Sequence, residues 1–350
     1  MSNSVIKPKK KLLYEVSVIR PIIIFLLVFL HSFSKINNGG GEIRDYQLPT
    51  VYQWLCQFIL GFRIETIALI AGYVFSYQCN DLNRTYVFGP FVWKKFKRLI
   101  LPMLFFGIIY YVCFLYSKDS FAFKDFLLTL FSGCGHLWFL PMLFWCFISI
   151  WIIDYLKISS WLLLFVLALF SISPMPSFPL GFNRFPHFLF FVYAGYFLWT
   201  KRLLLFRYGL NNYVICTLCL LYFLLVIISY AFVPTITNTH SHEWMSFFIS
   251  SILKFLMSCC GILALYLLVC RTTQNEGYKP KEWVIQASDD CYGLYVFHQF
   301  ILVWLYFYTP LFNCCNEYLL PWVGFLITFS LSLILTRITL KTKLGKFLIG

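Results

Sequence analysis

The sequence predicts an all-α fold: a polytopic integral membrane bundle of about ten transmembrane helices with both termini in the cytoplasm. Three observations predict it. First, 60% of the chain is hydrophobic, only 12% is charged and the mean hydropathy is +0.77, a balance no soluble domain of 350 residues carries. Second, apolar windows of about 15–25 residues follow one another through short polar breaks. Third, the basic residues alternate, with twenty in the segments assigned to the cytoplasm, five outside and three within helices. Short connections from end to end predict one domain over 1–350, with a basic tail at 1–15 and a second cytoplasmic tail at 339–350.

The first helix is expected near 16–33. A basic tail before an apolar run resembles a secretory signal, but Arg20 interrupts the run and HSFSK offers no small-residue cleavage site, so the helix is retained. Arg20 and His31 are the only ionisable groups in IRPIIIFLLVFLHS. An arginine near the bilayer centre costs roughly 2.5–3.5 kcal/mol on insertion scales, so it needs a partner or a task. Eleven helical steps of about 100° come within about 20° of three whole turns, so both side chains leave one face about 16 Å apart. A neutral imidazole is the natural general base near pH 7, and His31 lies towards the outer end. Arg20, near the cytoplasmic end, is placed to meet a phosphate. The competing reading has Arg20 snorkelling to headgroups and His31 bonding a neighbouring helix.

The second helix, near 52–77, carries Arg63 and Glu65 in FRIETIALIAGY. They point to different sides; an ion pair of Glu65 with Arg63 or Arg20 competes with a role for Glu65 in orienting an imidazole or contacting an acceptor hydroxyl. Before the third helix, near 99–116, WKKFKRLILP brings Lys94, Lys95, Lys97 and Arg98 to the inner surface. Such a cluster anchors topology, and it also suits the phosphates of a nucleotide-like donor. The fourth helix, near 137–153, follows GHLWFLP, which sets His136 and Trp138 at the outer interface. The fifth and sixth, near 160–173 and 186–200, are short.

The seventh, near 212–233, holds Cys216 and Cys219 at CxxC spacing within an unbroken apolar run, where packing outweighs metal or redox chemistry. His240 and His242 precede the eighth helix, near 246–270, but two histidines without a third ligand make a poor metal site, and none is expected. The ninth, near 291–309, places His298 one or two turns in, within reach of a donor's phosphate or amide or of a backbone carbonyl. The tenth runs near 319–338. The net charge of +14 is mostly a topology signal, with anionic lipid headgroups as its partner and no nucleic acid implied.

Together these segments resemble acyltransferase family 3, ten-helix membrane-bound acyltransferases of surface glycans and related acceptors. The resemblance covers the whole chain and rests on the Arg20 and His31 pair, AGY at 71–73, the basic run from Lys95 to Arg98 leading to Pro102, HLWFL at 136–140 and GLYVFH at 293–298. Two departures stand out: Lys95 replaces the first arginine of an Arg-x-x-Arg motif, and Ala71 replaces a serine. The resemblance implies an acyl-CoA co-substrate, acetyl-CoA by default, with no bound cofactor. It further implies a carbohydrate acceptor facing outwards and a bacterial cytoplasmic (inner) membrane location. His31 is then the base and Glu65 its catalytic companion, Arg20, Lys95, Arg98 and His298 hold the donor, and Arg63, His136 and Trp138 shape the acceptor path. A glycan transporter is the alternative, since polar residues in a ten-helix bundle also mark transport pathways.

Overall fold

A computed structural model describes residues 12–33, 48–116, 122–173, 180–237, 243–275 and 277–350; His240, His242 and most of the basic tail lie outside them. The described residues form helices and turns without strands. Among the described residues, nine helical stretches are long and apolar enough to cross a membrane, and the expected fifth span is an 11-residue helix. The chain is a multi-pass membrane protein.

Helix α1 spans Tyr14–Phe33 and contains Pro21 directly after Arg20. Helix α2 (Thr50–Leu60) and helix α3 (Arg63–Asn80) replace the single expected second helix. The break at Gly61 and Phe62 frees carbonyls that lipid cannot satisfy. Tyr222 donates to the Phe58 carbonyl, Ser258 to the Gly61 carbonyl at 2.6 Å and Thr66 to the Phe62 carbonyl at 2.6 Å. Those side-chain donors make the break tolerable, and it puts Arg63 at a helix start.

Helix α4 (Phe88–Lys95) passes through a π-helical turn, Phe96–Ile100, into helix α5 (Leu101–Tyr110) and a second π turn, Tyr111–Leu115. The cations expected before the third span therefore lie within it, at a wide turn of the kind common at functional sites. Helix α6 (Phe123–Ser132), not among the ten expected helices, leads through a 3-10 turn, Gly135–Trp138, into helix α7 (Phe139–Tyr155). Gly133 adopts φ 81°, and a Cβ there would fall 2.4 Å from the Trp138 backbone, so the turn requires glycine.

Helices α8 (Trp161–Ser171), α9 (Phe185–Gly209), α10 (Asn212–Thr237) and α11 (Glu243–Thr273) follow. Helix α12 (Glu282–Tyr308) starts nine residues before the expected 291, and α13 (Leu311–Cys314), α14 (Leu320–Lys341) and α15 (Lys343–Ile349) complete the chain. The tightest crossing joins α3 to α9. A Cβ on Gly72 would lie 1.8 Å from the Val192 carbonyl oxygen, and one on Gly195 would lie 1.9 Å from that of Leu69. Each glycine sits in an AGY triplet, at 71–73 and 194–196, and small residues are what let transmembrane backbones approach this closely. Tyr73, beside Gly72, donates to Glu15 of α1 at 2.8 Å and accepts from Tyr266 of α11 at 3.1 Å.

Candidate active site

Two cavities lie along the polar stripe of α1. Arg20 opens into the inner one, of about 560 Å³, together with Lys95 and Arg98. His31 lines the outer one, of about 1340 Å³. The helix between the two side chains rises about 16 Å, so α1 presents one polar group to each compartment. The inner side is the cytoplasmic one by the charge rule, and the end of α14, at Leu340, lines the same cavity as Arg20.

The inner cavity is largely apolar, walled by Ile23, Ile24, Ile70, Leu140 and Leu143, with its cations at one end and one acid, Asp289. The neighbouring Asp290 is paired with Arg337 at 3.1 Å. Lys95 lies over the Phe147 ring, 3.2 Å from its centroid, and Arg98 lies 5.2 Å from that of Tyr292. A smaller basic pocket of about 440 Å³ adjoins it, sharing Gln78, Lys95 and Arg98 and adding Lys94, Lys97 and Lys346. Lys346, on α15, belongs to the expected cytoplasmic tail, and its place in this pocket required the fold.

His31 is held by tertiary contacts. His298 Nδ1 lies 2.8 Å from the Tyr295 carbonyl and 3.2 Å from that of Leu294. Carbonyls only accept, so Nδ1 carries the hydrogen and Nε2 of a neutral His298 holds a lone pair. His31 Nδ1 lies 2.8 Å from that Nε2 and donates to it. The remaining nitrogen, His31 Nε2, is then the acceptor, and Arg63 faces it at 3.4 Å. His136 Nε2 donates to the Val296 carbonyl at 3.0 Å, and its ring lies 4.9 Å from that of His298. His31, His136 and Arg63 thus line the outer cavity, with His298 buried behind His31.

Several polar atoms here are buried without a partner: Arg63 Nε, His136 Nδ1 and Gln299 Oε1, all on residues lining the outer cavity. Buried polar atoms are normally satisfied, so these are positions where a polar ligand would bond. Gln53, Gln57 and Thr129 add further hydrogen-bonding groups to the lining. Trp138 also faces this cavity, covered by Arg184 at 3.9 Å from the ring centroid; partial burial pulls the Arg184 guanidinium below its usual pKa.

The structure sorts the expected site residues into three groups. Arg20, Lys95 and Arg98 share the inner cavity. His31, Arg63, His136 and Trp138 share the outer one. His298 joins His31 rather than the cations, because α12 begins at Glu282 and carries it sixteen residues into the span. Glu65 stands apart: the expected ion pair with Arg63 or Arg20 competed with a role in orienting an imidazole, and its Oε1 faces an imidazole, that of His187, at 3.4 Å from Nε2, while His187 Nδ1 meets Ser171 at 3.0 Å. Two residues along a helix turn a side chain about 200°, which takes Glu65 away from the outer cavity. His187, Gln299 and Arg184 were missed by sequence reasoning. An ionisable group within an apolar run was a signal for His187 as it was for His31.

A family model described as an acyltransferase domain, that of acyltransferase family 3, matches residues 13–340. The curated proteins and the solved structures contain no match to this chain. The matched span contains every residue that lines the outer cavity and the cations Arg20, Lys95 and Arg98 of the inner one. The chain belongs to acyltransferase family 3 and is a membrane-embedded acyltransferase.

Proposed function

We propose that this acyltransferase moves a small acyl group, acetyl by default, from cytoplasmic acyl-CoA to a hydroxyl of a surface or periplasmic carbohydrate, in a bacterial cytoplasmic membrane. The observation that carries the reading is the hydrogen-bond order from the α12 carbonyls through His298 to His31, which leaves Nε2 as the accepting nitrogen of His31 at the outer cavity, where Arg63 meets it at 3.4 Å. In the reaction, the acceptor hydroxyl takes the place of Arg63 at Nε2, which accepts the hydroxyl proton as the oxygen attacks the thioester carbonyl. The new C–O bond forms and the carbonyl oxygen becomes an oxyanion. Arg63, cationic and with an unpartnered Nε, is the donor placed to stabilise it. Collapse breaks the C–S bond, and the leaving thiolate takes the proton from His31, so the products are an ester and a free thiol.

Arg20, Lys95 and Arg98 hold the donor's phosphates at the inner end, and the apolar inner cavity takes its arm. The amides and hydroxyls of the outer cavity suit a polyhydroxylated acceptor. The test is the alkali-labile acyl content of surface glycans, by mass spectrometry, from cells with wild-type protein or His31→Ala at matched membrane abundance. An ester added only by the wild type is expected, and its mass identifies the donor group. Chemically identical glycans with altered export would instead make the protein a transporter.

A further inference from the structure

We propose that Ile67, Phe139 and Tyr295 form a gauge that limits the length of the acyl group this enzyme transfers. The inference rests on the reading of the inner cavity as the donor site. These three side chains, from α3, α7 and α12, line both cavities and are where the two meet. Arg20 and the apolar arm channel lie on one side of them and His31 on the other.

The geometry of acyl transfer sends the acyl chain into this wall. A thioester carbonyl carbon carries sulfur, oxygen and the acyl chain. Sulfur must point back along the inner cavity, and the attacking hydroxyl must come from the side of His31. The chain is left to run sideways, against the side chains where the cavities meet. The wall there is packed and pinned. Phe139 is 5% exposed and Tyr295 7%. Tyr295 donates to the His136 carbonyl at 2.5 Å, and its ring stacks on Tyr292 at 6.5 Å. Phe139 is wedged edge-on between Tyr295 at 6.1 Å and Phe188 at 5.9 Å. Its backbone starts α7 directly after the glycine-dependent 3-10 turn. Nothing polar on Ile67 or Phe139 would repel an alkyl chain, so the restriction is one of space, and packed walls accommodate extra methylenes poorly.

The experiment measures binding of coenzyme A thioethers, S-ethyl and S-octyl, to the purified full-length protein in detergent by isothermal titration calorimetry. Wild type is expected to bind the S-ethyl probe at least about tenfold more tightly than the S-octyl probe. Phe139→Ala and, separately, Ile67→Ala are expected to narrow that gap to about threefold or less. Each protein supplies its own ratio, so a change in overall affinity does not enter, and the second variant decides if the first does not fold. Equal binding of both probes by wild type, or an unchanged gap in the variants, overturns the gauge while leaving the donor site standing. Binding of neither probe by wild type removes the donor-site reading, and the gauge with it.

Discussion

Replacing His298 with phenylalanine keeps a planar ring in α12 but removes the lone pair that His31 Nδ1–H uses. Among the hydrogen bonds of His31, the His298 contact at 2.8 Å is the short one, and the Arg63 contact at 3.4 Å is long. Leaving a buried donor unpaired costs about 1–3 kcal/mol. At 1.4 kcal/mol per factor of ten, the turnover number falls between about fivefold and about 150-fold. The loss reaches at most the low end of that for His31→Ala, which removes the general base and about 10²–10⁴ of rate. Donor KM stays near the wild-type value, because Arg20, Lys95 and Arg98 are untouched. His298→Gln supplies an amide oxygen at the reach of Nε2, and restores turnover to within about threefold of wild type. The assay is transfer of radiolabelled acetyl from acetyl-CoA to endogenous glycan in isolated membranes, at matched protein abundance. Full turnover in His298→Phe, or equal loss in the phenylalanine and glutamine variants, would refute the hydrogen-bond order assigned to the pair.

Three further outcomes are expected. Arg63→Ala lowers turnover by about 10²–10³, the usual loss for one oxyanion donor, with Arg63→Lys recovering part of it in the same membrane assay. Lys95→Ala raises donor KM by about tenfold with little change in turnover, as loss of a charge-assisted contact that is equal in ground and transition states requires. Gly72→Val forces a side chain to within 1.8 Å of the Val192 carbonyl oxygen and prevents α3 from meeting α9; detergent-extracted protein then shows no monodisperse peak, whereas Gly89→Ala, with open space around it, behaves as wild type.

What the sequence disclosed about this site followed the range of each interaction. The Arg20 and His31 stripe was legible because helical periodicity alone puts both on one face of α1. The inner cations were legible as a cluster, since Lys94 to Arg98 are contiguous. The His31 to His298 contact joins residues 267 apart in sequence, and no local pattern reports it. The start of α12 was misread for a physical reason: Asp289 and Asp290 look like a polar loop until Arg337 of α14 is seen to pair with one of them. Likewise, the break between α2 and α3 depends on donors from α10 and α11, Tyr222 and Ser258. For Glu65 the sequence leaves open an ion pair with Arg63 or Arg20 and a contact with an imidazole, and only the packing of α3 on α9 shows that the imidazole of His187 is its neighbour.

In the proposed reaction a donor held on the cytoplasmic side acylates an acceptor on the other side through His31. Its most direct test supplies radiolabelled acetyl-CoA to the exposed cytoplasmic face of inverted membrane vesicles that enclose their glycan. Label is then sought as an alkali-labile ester on the enclosed glycan, with wild type and His31→Ala compared. Enclosed, ester-linked label is expected in wild type and none in the variant. Equal labelling by the two proteins, or label confined to the outer solution, would contradict it.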